Sequence, residues 1–372
     1  MAAWRHIRQI WRHATMLWHV LPVCALAVSC NVHEWPAADM KVRVPLHLHF
    51  QTAMTQSEYI DNTLQNVHTS SSIIANPRMR YVIRFYECAD ESRASIHSAF
   101  TEFVFERDVD VLYDNDFIID IAPADYTVMV WADFVESSDN DGYFYDASDF
   151  TSITKLKPHV GNTDYVDAFR GWADIDKQSL QRNTTPVIVE MERPLAKYEF
   201  VSTDLREFLE QEIKAHAARN AANNSDTADG NATDDRGDMA TDPTIGSIDL
   251  NAYRVMFYYS GYMPNTFNMF TDRPVDAVIG VAFEGKLDKL SDDEISLGFD
   301  YVLVNHMETT ITVRVAIQND AGEQVSLTKP INVPIQRNNH TIAKGRFLME
   351  KATGNINIDV DYDGEYNIII NR

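Results

Sequence analysis

The chain has 372 residues, with 32 lysines and arginines against 55 aspartates and glutamates, a formal net charge of −23. That balance argues against nucleic-acid binding and against adhesion to anionic lipid, both of which select for basic surfaces. Its three cysteines, Cys24, Cys30 and Cys88, provide no disulfide framework, so stability has to come from core packing.

The first thirty residues read as an export signal. Arg5, Arg8 and Arg12 form a basic start with no acid among them, and the apolar run MLWHVLPVCALAV follows. His19 and Pro22 interrupt that run, which is too short for a membrane span. It ends in LAVSC, where the small residues Ala27 and Ser29 precede Cys30. This looks like a bacterial lipobox with Ala27 in place of the usual leucine, which makes Cys30 the expected lipidation site. The alternative is an ordinary signal peptide with a coincidental cysteine. Cys24 would leave with the leader and Cys30 would carry lipid, so Cys88 has no disulfide partner.

KVRVPLHLHF (41–50) alternates along its length. Val42, Val44, Leu46, Leu48 and Phe50 share one face of a predicted strand, opposite Lys41, Arg43, Pro45, His47 and His49. Further strands are predicted at 80–87, 125–134, 185–192, 196–203, 252–263, 275–285, 309–319 and 355–362. Each is expected to have one buried and one wet face, as in antiparallel sandwiches. Asp363-Gly364 predicts a hairpin turn into a last strand at 365–370. One short helix is predicted, capped by Asp204 with Glu207 as reciprocal partner and carrying the stripe Leu205, Phe208, Leu209 and Ile213. The acidic, polar run that follows, about 215–246, reads as a disordered surface loop. Roughly 340 mature residues suffice for two domains. The expected division is a leader over 1–29 and domains over 30–183 and 184–372. No βαβ alternation appears, so the expected class is all-β.

Candidate chemistry is sparse. His47 and His49 could both reach a metal, with His33 or His68 as a third ligand, but no recognised zinc spacing supports this, and an exposed polar face is the simpler reading. The loop SSDNDGYFYD (137–146) offers Asp139, Asp141 and Gly142, yet Ser137 and Ser148 stand where a calcium loop needs acids. No nucleophile elbow, phosphate loop or dinucleotide fingerprint occurs, so neither an enzymatic role nor a cofactor is implied. Tyr253, Phe257, Tyr258, Tyr259 and Tyr262 could stack on sugar rings, although core packing is the commoner use of strand aromatics.

Four segments together resemble the fimbrillin-like lipoproteins of Bacteroidales, the family of type V pilus subunits and their anchors. They are LAVSC with the strand after it; DYTVMVWADF, ending in Trp131 to Phe134; VEMERPLAKYEF (189–200); and NVPIQRNNHTIAKGRFL (332–348). The resemblance implies two tandem transthyretin-like Greek-key sandwiches. It also implies export of a lipidated precursor to the outer membrane and cell surface. Its partners would be other pilus subunits or surface ligands, protein or glycan. In such stalk subunits an arginine-specific protease removes the first strand and a neighbour's strand replaces it, whereas anchors keep lipid and strand.

KVRVPLHLHF matches the removable strand in position, and Pro45 suits an edge or a bulge. The resemblance thus makes Val42, Val44, Leu46, Leu48 and Phe50 the exchangeable set. Past Arg43 the next basic residues are Arg78 and Arg80, the candidate protease sites, already at the start of the following strand. That gap favours a lipid-retaining anchor, an accessory subunit, or a surface lipoprotein that does not polymerise. A glycan-binding adhesin is the alternative function. Asp226-Thr227, before Ala228, resembles an O-glycosylation pattern.

Overall fold

The structure, a computed structural model, describes residues 41–51, 55–59, 77–87, 100–108, 115–136, 144–182, 185–225, 248–306, 309–319 and 321–350. The expected leader with Cys30, the would-be calcium residues Asp139, Asp141 and Gly142, the Asp226-Thr227 pair and the expected C-terminal hairpin lie outside the described residues.

The chain runs through β1 (Val42–Phe50), β2 (Thr55–Tyr59), β3 (Pro77–Glu87), β4 (Phe100–Asp108), β5 (Asn115–Ile121), β6 (Tyr126–Glu136), β7 (Tyr145–Asp146), β8 (Ile153–Lys155), β9 (Ala168–Ile175), α1 (Lys177–Arg182) and β10 (Val187–Met191). It continues through β11 (Leu195–Ser202), α2 (Leu205–Ser225), β12 (Arg254–Tyr259), β13 (Met263–Asn268), β14 (Arg273–Val278), β15 (Ala282–Gly285), β16 (Asp288–Lys289), β17 (Ile295–Leu303), β18 (Thr309–Gln318), β19 (Gln324–Leu327), β20 (Ile331–Ile335) and β21 (Asn339–Gly345). The architecture is all-β, with the helices as additions to it.

Two sheets enclose the first core: β10-β1-β5 and β4-β3-β6-β9. Their inner faces meet through Phe50, Tyr81 and Phe117, with ring centroids 6.2 Å apart for Phe50–Tyr81 and 5.1 Å for Tyr81–Phe117. One side of this sandwich is closed, because Arg170 and Glu192 exchange backbone hydrogen bonds of 2.8 and 2.9 Å between β9 and the residue after β10. Gly171 permits that approach: a Cβ there would sit 2.5 Å from the Glu190 carbonyl oxygen. On the opposite side β5 and β4 end their sheets. The second core lies between β16-β17-β11-β21-β2 and β15-β12-β18-β19, with β20 also on β18, and α2 adds Leu205, Phe208 and Leu209 to it. A small sheet, β14-β13-β8-β7, covers the outer face of β3 and β6, setting Tyr145 and Phe267 against Trp131.

That cover corrects the expected wet face. β6 is buried at every residue but its last. The predicted strands at 252–263 and 275–285 each break in two, at Gly261 and Gly280, which take φ +134° and +68°. The helix is not short. It runs through residue 225 into the stretch expected to be loop. Once Leu205 to Leu209 are docked, the alanines beyond propagate it, since alanine is the best helix former and needs no burial. The expected capping box is absent as well. The Asp204 carboxylate accepts instead from Ser202 Oγ (2.6 Å) and Met349 N (3.0 Å), while Glu207 pairs with Arg346. β10, just past residue 183, pairs with β1, and the first core also takes in Phe267, Met269, Phe299, Tyr301 and Leu303 from later in the chain.

Candidate functional site: the first strand and the seam it crosses

β1 forms as its pattern predicts. Val44, Leu46, Leu48 and Phe50 are buried and Val42 half-buried, while Arg43 and His49 are exposed. It is not an edge strand, which corrects the edge reading of Pro45. β10 pairs with it in parallel, from Leu46↔Val187 to Phe50↔Met191, and β5 antiparallel, from Val42↔Ile121 to Leu48↔Asn115. Pro45 lies one residue short of the parallel ladder, so its missing N–H removes nothing from that side. Each buried Leu or Phe contributes about 1.5–3 kcal/mol of transfer free energy. On the outer face His47 Nδ1 lies 2.8 Å from Asp116 Oδ1, and Arg43 Nε 3.6 Å from Asp120. Among the described residues no three His, Cys, Asp or Glu side chains are placed to hold a metal ion.

The chain then crosses to the other half. β2 adds itself in parallel to β21, from Thr55↔Asn339 to Tyr59↔Ala343. Among the described residues, one short N-terminal stretch therefore fills the middle of a sheet at the first core and the end of a sheet at the second. No sequence signal announces this, because a parallel pair distant in the chain leaves no local pattern.

The candidate protease residues sit within β3, which is paired to β4 and to β6. Arg80 is 4% exposed and Asp133, its partner on β6, 0%. Two hydrogen bonds join them, Nε to Oδ1 at 2.9 Å and Nη2 to Oδ2 at 2.7 Å, and Arg80 also donates to the Tyr145 carbonyl at 3.1 Å. Arg78 pairs with Glu106 and Asp108, each at 3.3 Å. A protease needs an extended, unpaired segment, so neither bond is available in the folded protein.

Two of the arginines from the family-like segments meet in a polar seam between the cores. Arg193 holds Asp167 (2.7 Å) and donates to Asn338 Oδ1 (3.0 Å). Asn338, at φ +57°, donates its own N–H to the Leu195 carbonyl at 2.9 Å. Arg337 and Arg170 both pair with Asp272, at 2.8 and 2.7 Å, and His306 touches the same carboxylate. Deeper in, the buried Asp300 lies 2.7 Å from His159 Nε2 and accepts from Tyr259 Oη at 2.6 Å. Burial alone would raise its carboxyl, but the charges of His159 and Lys155 and the hydrogen bonds hold it below the usual range. Burial pushes the Lys155 amine down, and its Nζ donates to the Tyr301 carbonyl at 2.5 Å. On the outer face of the second sandwich Glu199 accepts from Ser296 Oγ at 2.6 Å. His340 Nε2 stands 3.2 Å away, off the line of a good hydrogen bond.

These groups partner one another. They fasten strands of the two cores to each other. The aromatic stripe also turns inward. Phe257 and Tyr259 are core residues, Tyr253 donates to Glu212, and Tyr262 is exposed, so Tyr259 and Tyr262 do not form a stacking platform.

No curated protein matches the chain. Among solved structures, the fimbrial anchor protein Mfa2 from Porphyromonas gingivalis is 9% identical, with a TM-score of 0.33, covering 77% of this chain and 82% of its own. The tip fimbrial protein Mfa3 from the same organism is 9% identical, with a TM-score of 0.34, covering 79% and 81%. A family model matches residues 38–371, nearly the whole chain, and the protein belongs to that family, described as a family of unknown function (DUF6562).

Proposed function

We propose that the protein is a cell-surface structural protein of the fimbrillin-like type, built of two tandem transthyretin-like sandwiches. It is anchored in the outer membrane by lipid on Cys30 and acts in pilus assembly, anchoring or adhesion through β-strand complementation. The observation that supports this most is the stretch 41–59. Main-chain ladders on both sides hold β1, and alternate side chains fill the core, which is the physical form of strand complementation. With β1 central and Arg78 and Arg80 inside β3, the role that fits is a subunit keeping its first strand, an anchor or accessory piece with other subunits or surface ligands as partners.

The test is an immunoblot of unboiled cell-envelope fractions. The expected result is this chain in the outer-membrane fraction within SDS-resistant species that also contain a second subunit. Recovery solely as a soluble monomer would contradict the proposal.

A further inference from the structure

Among the described residues, the open side of the first sandwich offers two unpaired edges, and they differ. Along the outer face of β5, Asp116 and Asp120 flank Ile118, with side chains 81% and 56% exposed. Charges so placed guard an edge against pairing. β4 is paired with β3 along all its residues and has no strand on its other side among the described residues. Its acids are taken by arginines of β3: Arg84 Nε donates to Glu102 at 2.6 Å, and Arg78 holds Glu106 and Asp108. Phe100 and Val104 lie on the same face as these acids and are 49% and 45% exposed. The alternate residues turn to the core, with Phe103 against Phe85 at 6.0 Å and Phe105 against Phe117 at 4.8 Å.

We propose that β4 is a self-association edge, where two copies of this chain pair their β4 strands antiparallel about a two-fold axis centred on Phe103. Residues opposite each other must point to the same face, so odd numbers meet odd and even meet even. Centring on Glu102, Val104, Phe105 or Glu106 sets a carboxylate opposite a carboxylate: Glu102 on itself, on Glu106 or on Asp108, or Glu106 on itself. Centres nearer the ends pair too few residues. Centring on Phe103 sets Glu102 opposite Val104, Thr101 opposite Phe105 and Phe100 opposite Glu106, with no like charges facing. Phe103 then meets its own copy over the continued core, and both sheet faces run on into the second molecule. This pairing requires neither the lipid nor any exchange of the first strand, so it stands apart from the function proposed above.

Sedimentation equilibrium of the full chain in detergent tests it, with Val104→Glu and Val104→Lys beside the wild type. The wild type is expected to dimerise. Val104→Glu faces Glu102 twice per dimer and is expected to weaken the dimer about tenfold, or about 1.4 kcal/mol. Val104→Lys faces the same carboxylates and is expected to bind at least as tightly as the wild type. Since Val104 is exposed, both variants should keep the wild-type circular dichroism. A monomeric wild type at roughly 100 μM, a Val104→Glu dimer of unchanged strength, or equal weakening by the two substitutions would overturn the proposal. Cys30→Ala is expected to leave the dimer intact, so failure of the lipid anchor and failure of this edge are separable.

Discussion

Replacing Asp133 by leucine probes the scaffold at its most exacting point. Asp133 is fully buried and makes two hydrogen bonds to Arg80, itself 4% exposed. In the variant the guanidinium loses both bonds to that carboxylate and keeps its hydrogen bond to the Tyr145 carbonyl. An uncompensated buried charge costs about 3–5 kcal/mol, a large part of the 5–15 kcal/mol that typically separates folded from unfolded domains. Arg80→Met alone strands the carboxylate and is expected to cost a similar amount. The double variant Arg80→Met/Asp133→Leu removes both charges, keeps their volume, and is expected to recover to within about 1–2 kcal/mol of the wild type. Urea unfolding of all four proteins closes the cycle. A single-variant cost under about 1 kcal/mol, or a double variant as unstable as the sum of the singles, would refute the claim that this pair acts as one buried unit.

The other expectations concern the first strand, the closed side, the acid range and the anchor. Leu48→Ala, at a fully buried centre of β1, should lose about 2–5 kcal/mol in the same unfolding assay, whereas an edge strand would lose far less. Gly171→Ala should cost about 1–3 kcal/mol by overpacking against the Glu190 carbonyl and the Val189 and Met191 side chains, read as a lower unfolding midpoint. Burial would raise the Glu199 carboxyl, but the contacts with His340 and Ser296 outweigh it and hold it below its ordinary value. Its contribution is therefore present above the unfolded carboxylate's pKa and lost as pH falls through the folded one. Denaturant midpoints between roughly pH 5 and pH 3 should thus fall less steeply in Glu199→Gln than in the wild type. Cys30→Ala should move the protein from the membrane to the soluble fraction, and sedimentation at the wild-type level would remove the lipid anchor from the reading.

Much of the scaffold is legible in the sequence because half-buried strands declare their period. β1 and β12 show alternation that the burial follows residue by residue, and β18 does so as far as Val315, after which Ala316 is buried as well. β17 shows nothing of the kind. It is buried on both faces, it holds Gly298 at φ +134°, and it carries Asp300 into the interior, where His159 and Tyr259 receive it. Pairing partners leave less trace in the sequence than strands do. The parallel ladders of β1 with β10 and of β2 with β21 join residues far apart in the chain, and only tertiary packing specifies them. The same holds for the seam. Arg193 and Arg337 stand within segments that the sequence marks out, yet no spacing says that they reach Asp167 and Asp272. Pro45 suggested an edge because proline removes a donor. The structure satisfies that constraint by starting the parallel ladder one residue later.

Whether the first strand stays in place is decided by the N-terminus of the native protein taken from its own membrane. Mass analysis should find a lipid-modified Cys30 at the start of a chain that still contains 41–59. A chain beginning at Met79 or Tyr81, the products of cleavage after Arg78 or Arg80, would contradict a retained β1.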